Sequence, residues 1–257
     1  CDRRQRQMCI RDRMWQASCG INGRPVNICC AWFDEKDADA TQIYDGPGFR
    51  DAHAKFVARR AVMLAEKERL HFGRVASVSS ASGAIQDVTE SVAQTVHTQM
   101  LKLHQAHRQR HESGKTVSLG LVRFANINPL VAVTKALIVI PSPEDVCIHY
   151  CVYHSRHPLA VRSDIEKRLD RAFTRHNELD FWNNEDIADA IHNRPESHHL
   201  FVVLGTSVIE VGRDWDADWG IIEPSSMRSI IQFAGRIQRH RRNAVSYTHL
   251  RAHETLR

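Results

Sequence analysis

No C-x-x-C pair occurs among the seven cysteines, which stand at positions 1, 9, 19, 29, 30, 147 and 151. An odd count without paired zinc spacing argues against a disulfide framework or a zinc module. It fits a reduced, cytoplasmic protein whose thiols are mostly small buried hydrophobes, with Cys147 and Cys151 as packing residues in a β-rich run. Long apolar runs are missing too. Runs such as Ala136–Ile140 and Leu200–Leu204 fall far short of the ~20 residues that span a bilayer, and no apolar signal region opens the chain. No membrane partner is expected. A complete phosphate-binding loop is absent: Gly114-Lys115-Thr116 is the tail of one, but Gln109 stands where the first glycine belongs, and without it the backbone cannot form the phosphate nest. No histidine–aspartate nuclease signature is visible either.

What is present is an ordinary globular composition, 42% hydrophobic and 25% charged. The formal charge of +5 says little about partners, because residues 1–13 contribute +3 and residues 246–257 another +1. The local pattern says more. Met227 to Arg242 carries five arginines and no acid, after an acid-rich loop from Glu210 to Glu223.

Along the chain, a strand is expected over Val26–Phe33 and amphipathic helices over Arg50–Leu70 and Ile85–His107, the first with Phe56, Val57, Met63, Leu64 and Leu70 as its apolar positions. Arg74–Gly83, rich in Ser, Ala and Gly, reads as a linker between them. From Thr116 the pattern alternates. Strands over 116–124, 146–153, 200–204 and 219–222 are interleaved with helices over 129–137, 162–175, 184–191 and 226–238. Such alternation predicts an α/β fold, a RecA-like domain with a mostly parallel sheet and helices on both faces, preceded by a helical and irregular connecting region.

Three patterns tempt toward metals. His104, His107 and His111 could share a helical face, but HQAHRQRHESG is strongly basic and would repel a cation, so a solvated helix end is expected. Asp214, Asp216 and Asp218 alternate like the start of a calcium loop, yet its glycine and closing glutamate positions hold Trp219 and Ser225. Asp34-Glu35-Lys36-Asp37 mimics a magnesium-binding D-E-x-D, and Ser79-Ser80-Ala81-Ser82 could imitate an S-A-T motif downstream of it. No metal ligand is assigned.

The most informative stretch is Ser229–Arg242, SIIQFAGRIQRHRR. If helical throughout, it sets Gln232, Arg236 and Arg239 at i, i+4 and i+7, an amide and two guanidiniums on one side. Guanidinium forks suit phosphate oxygens and can stabilise charge on a transferring γ-phosphoryl group. Upstream, the apolar strand Leu200–Leu204 ends in Gly205-Thr206 and is followed by Gly212 and Asp214. This order resembles the last two motifs of superfamily 2 helicases. EVGRDWDADW and EPSSMRSIIQFAGRIQRHRR, with GKTVSLGLVRFANINPL and CIHYCVYHSRHPL, resemble more narrowly the helicase part of the CRISPR-associated helicase–nuclease of type I systems, most closely subtype I-F.

That resemblance runs from Met14 to Val245 and implies the second motor domain of an ATP-driven enzyme that moves 3′ to 5′ along single-stranded DNA and feeds a nuclease. It implies that Arg236 and Arg239 approach the γ-phosphate, that Gln232, Gly212 and Asp214 help bind the nucleotide, and that Thr206 meets the nucleic-acid backbone. Arg123, Ser155 and Arg156, at or beyond strand ends, are further candidates for phosphate contacts. ATP and Mg2+ are the implied cofactors, the metal held by parts of the parent protein absent here. The first motor domain, single-stranded DNA and the CRISPR surveillance complex are the implied partners. CAWFDE also resembles the segment after the S-A-T motif in subtype I-F relatives, which would place Asp34-Glu35 in the connection between motor domains.

The expected organisation is 1–13 as unstructured read-through, 14–83 as the connection, 84–245 as the second motor domain and 246–257 as a read-through tail, since QMCIRDR and SYTHLRAHETLR look like translated adaptor sequence. A fragment lacking the loop that positions a nucleotide is expected to be inactive alone. A noncatalytic single-stranded nucleic-acid-binding module and a metal enzyme built on the histidine helix are the alternatives.

Overall fold

The computed structural model describes residues 28–33, 38–43, 46–66, 71–175, 177–210, 214–241 and 245–252. The chain divides into two compact units, residues 1–68 and 69–257. In the first, β1 (Ile28–Phe33) pairs antiparallel with β2 (Ala38–Ile43), and α1 (Gly46–Ala65) follows. The expected helix forms here, but Val57, Met63 and Leu64 are exposed. The periodic apolar positions of α1 therefore mark no core face.

The second unit is built on a seven-stranded sheet. Its strands are β3 (His71–Val78), β4 (Gln109–Arg110), β5 (Thr116–Arg123), β6 (Val146–Tyr153), β7 (His198–Gly205), β8 (Trp219–Ile222) and β9 (Val245–Ala252), in the order β3-β9-β8-β5-β7-β6 with β4 beside β5. Every pairing is parallel except β4 with β5. Two strands differ from expectation. The stretch read as a linker contains most of β3, and residues 245–252, largely inside the stretch set aside as a tail, form β9 between β3 and β8. Small and polar residues in HFGRVASV and VSYTHLRA hide a parallel strand pair that periodicity alone does not reveal.

Helices cover both faces, as expected. On one side α2 (Ile85–His107) and α3 (Ile127–Leu137) bury Val92, Val96, Met100, Leu130 and Leu137 against Val122, Leu204 and Ile221. On the other, α4 (Leu159–Phe173), α5 (Glu178–Trp182), α6 (Glu185–Asn193) and α7 (Met227–Ala234) cover Val117, Leu119, Leu121 and Val203 through Phe173, Phe181, Ile187 and Phe233. β5 is buried at all eight positions, as a central strand covered on both faces must be.

Local chemistry sets the boundaries. Asn184 caps α6 by accepting from the N–H groups of Asp186 and Ile187, and Ser226 caps α7 by accepting from Ser229 N–H at 3.1 Å. Gly120 lies opposite Trp219 in the β5–β8 register, and a Cβ there would sit 2.1 Å from the indole ring. The missing side chain lets the indole cross β5 and donate its N–H to Ser118 Oγ at 2.9 Å. Among the described residues no helix is long and apolar enough to cross a membrane.

Candidate nucleotide and nucleic-acid edge

Parallel registry brings four strand ends together: Arg123 pairs with Gly205 and Ile222, and Gly205 with Tyr153. The carboxyl ends of β5, β6, β7 and β8 thus form one edge, the side on which open α/β sheets bind ligands. The segments that follow each strand carry the candidate residues.

Glu210 organises this edge. It is 1% exposed, and its Oε1 accepts from Arg123 Nε at 2.5 Å and from Ser229 Oγ at 2.5 Å. Arg123 is 2% exposed and also donates to Glu223 O at 2.8 Å and Ser225 Oγ at 2.9 Å. The sequence reading offered Arg123 to phosphates. The structure instead commits its guanidinium to the interior, where it ties the end of β5 to the loop before α7 and to Glu210.

The backbone carbonyl of Glu210 accepts from Arg236 Nη2 at 3.1 Å. Burial first, and then the neighbouring Arg239, pull the Arg236 guanidinium below its usual pKa, while Asp214 works in the opposite direction. A cation held half-buried beside a second cation gains most from an arriving anion.

Arg239 reaches the same place by a different route from the one expected. α7 stops at Ala234 with Gly235 at its carboxyl cap, so Gln232, Arg236 and Arg239 do not share one helix. The chain instead turns, with Gln238 at φ 44°, and Ile237 bridges to Ala217. Ala217 N–H donates to Arg236 O at 2.9 Å, and Gln238 N–H donates to Ala217 O at 2.7 Å. This bridge sets the arginine segment alongside the aspartate segment. Arg239 Nε lies 2.7 Å from Asp214 Oδ1, with both side chains nearly half exposed, and His240 Nε2 lies 3.1 Å from the same oxygen. Gln232 is half-buried at the end of α7, and its buried Oε1 has no hydrogen-bond partner among the described residues.

Beneath this exposed pair lies a buried network that the sequence reading missed. Asp216 accepts Arg241 Nη2 at 2.8 Å, and Arg239 N–H at 3.1 Å. Asp218 accepts Arg241 Nη1 at 2.6 Å, Arg175 Nη1 at 2.7 Å and Leu119 N–H at 2.7 Å. Burial alone would raise the Asp218 carboxyl, but Arg175, Arg241 and these hydrogen bonds outweigh it and hold the pKa below its usual value. The alternation D-W-D-A-D opposite R-H-R was the available signal: its odd positions pair across the bridge.

The remaining candidates fall on the same edge. Thr206, 6% exposed, follows β7 and opens a 3-10 turn over Ser207–Ile209 without a side-chain capping bond. Ser155 and Arg156 are exposed beyond β6, and Arg156 Nη1 donates to Asn128 Oδ1 at 2.9 Å near the start of α3. Gly212 lies outside the described residues, as does Asp34-Glu35.

The partial phosphate-loop signal falls at the opposite edge. Thr116 begins β5, so the Gly114-Lys115 turn enters a strand instead of opening a helix, and Lys115 Nζ donates to Arg194 O. The histidine helix is not a solvated end: His104 is buried, its Nδ1 lies 2.7 Å from Ser118 Oγ, and burial, with help from Arg108 and His198, lowers its pKa to about 3. His111 bonds to Ser113, and the three imidazoles form no metal-ligand group among the described residues.

A mostly parallel sheet with helices on both faces and an arginine segment at its carboxyl edge is an α/β, RecA-like arrangement. Residues 116–242 match the family profile described as CRISPR-associated nuclease/helicase Cas3, C-terminal. The chain belongs to the Cas3 family. It is 54% identical over 230 residues to the Cas3 subtype I-F/YPEST protein of Pectobacterium atrosepticum, covering 89% of this chain and 21% of that protein. The corresponding Pseudomonas aeruginosa protein is 42% identical over the same shares. The chain therefore spans about a fifth of the length of these curated relatives. Among solved structures it is similar to T. fusca Cas3 with AMPPNP, at 16% identity and TM-score 0.47 over 74% of this chain and 19% of that one.

Proposed function

We propose that this chain supplies the second motor domain of an ATP-dependent, single-stranded-DNA translocase and helicase–nuclease that degrades foreign DNA in type I CRISPR defence. The observation that carries this reading is the meeting of Arg236, Arg239 and Asp214 at the carboxyl edge, on a framework fixed by Glu210 and the buried Asp216–Arg241–Asp218 network. The residues fit an anionic phosphate better than a metal, because two guanidiniums face one exposed carboxylate. ATP would be held chiefly by the phosphate loop of a first motor domain, with Mg2+ bound there too. In this chain Arg236 is the clamp on developing γ-phosphate charge, and Arg239 exchanges Asp214 for phosphate oxygens. Gln232 contributes its amide, and Asp214 is released toward the ribose side of the nucleotide.

Thr206, Ser155 and Arg156 form the backbone-tracking surface for single-stranded DNA, which requires no base readout. The surveillance complex enters through the parent protein. Alone, the chain turns over no ATP, because nothing positions the γ-phosphate.

Reconstitution tests this reading. A first motor domain bearing the phosphate loop, mixed with this chain, Mg2+ and single-stranded DNA, should hydrolyse ATP when neither part does so alone. Robust hydrolysis by the chain alone, or none by the pair under conditions where the two co-purify, would contradict it.

A further inference from the structure

Cys147, His149 and His199 gather at the other end of the sheet, near the amino ends of β6 and β7. Cys147 and His199 are direct partners in the β6–β7 register, and His149 is two residues along on the same face. The thiol sulfur and one nitrogen from each imidazole all lie within 4.8 Å of one another. His149 Nε2 and His199 Nδ1 are 3.3 Å apart. That is long for a hydrogen bond, but it matches the separation of about 3.3–3.4 Å between two nitrogens bound at zinc distances on one tetrahedron.

His199 is 0% exposed, so packing holds the imidazole that presents Nδ1 to His149. Burial pushes the Cys147 thiol up and both imidazoles down, and in all three cases the neighbouring Glu196 carboxylate works toward the protonated form. The two imidazoles are thus neutral near pH 7, as metal ligands must be.

We propose that Cys147, His149 and His199, with solvent in the fourth position, form a zinc site that clamps β6 to β7. A thiolate with two imidazoles is a borderline-soft set that suits Zn2+ rather than Mg2+ or Ca2+. Binding forms the Zn–S bond as Cys147 releases its proton to solvent. The site would rigidify the outer edge of the sheet, far along the strands from the arginine segment, and takes no part in nucleotide chemistry.

Titration of the reduced, chelator-stripped full chain with Co2+ tests the proposal. Tetrahedral visible absorption and a thiolate-to-cobalt charge-transfer band should saturate at one ion per chain and be displaced by Zn2+. Cys147→Ser, at a half-buried position, should abolish the charge-transfer band while circular dichroism stays native. Cys151→Ser and the Cys29→Ser/Cys30→Ser double variant should keep it. His149→Gln should weaken binding about tenfold or more. Absence of a saturable band, or a band that survives Cys147→Ser, would overturn the proposal.

Discussion

Arg239 Nε and Asp214 Oδ1 stand 2.7 Å apart although 25 residues separate them in sequence, because the Ala217–Ile237 bridge lays their segments side by side. The pair is nearly half exposed, unlike the buried Asp216–Arg241 pair beneath it. Exposed ion pairs contribute at most about 1 kcal/mol. Arg239→Ala and Asp214→Ala should therefore unfold in urea within about 1 kcal/mol of the parent chain, which leaves the pair free for exchange with a ligand. A loss of several kcal/mol would assign it to the scaffold instead.

Glu210→Gln should have the opposite outcome. Arg123 and Glu210 are both almost wholly buried, and removing one charge strands the other in the interior at a cost of about 3–5 kcal/mol. Equilibrium denaturation would measure it. A change under 1 kcal/mol would mean that the pair does not hold the edge together.

Gly120→Ala should destabilise the fold by about 1–3 kcal/mol through overpacking, since the new methyl group meets the Trp219 ring at 2.1 Å. Pairing the change with Trp219→Phe, which shortens the ring, should recover part of the loss. Equal stability of Gly120→Ala and the parent chain would contradict the crossing of the indole over β5.

Acid should weaken the fold before the carboxylates titrate. Burial, then Arg108 and His198, hold His104 down to about 3 from 6.5, with His199 acting the same way and Asp218 opposing. Folded His104 is neutral, whereas the unfolded chain takes up a proton below 6.5, so this contribution is intact above about pH 6.5 and is lost as pH falls toward 3. His104→Gln should flatten the slope of unfolding free energy between pH 6 and pH 4 by up to one proton. An unchanged slope would show that His104 is not buried neutral.

Much of the second unit was legible because burial on both faces writes long apolar strands: β5, β6, β7 and β8 lie close to their expected positions, and α2 spans the expected residues. β3 and β9 were not legible, since their pairing partners lie about 170 residues apart and their compositions are those of loops. The arginine segment was found by its residue types, while its geometry was misjudged. A helix continued through Gly235 would have aligned residues 232, 236 and 239; the bridge to Ala217 ended it. Arg123 illustrates the limit, because a strand-end arginine reads identically whether it faces phosphate or a buried glutamate 87 residues away.

Steady-state and single-turnover ATP hydrolysis by the reconstituted motor pair bears most directly on the arginine edge. Arg236→Ala should lower the rate of the chemical step by about 10³-fold or more while nucleotide binding changes little, as expected for a group that meets charge only in the transition state. Arg236→Ala turning over ATP at the parent rate would contradict the account.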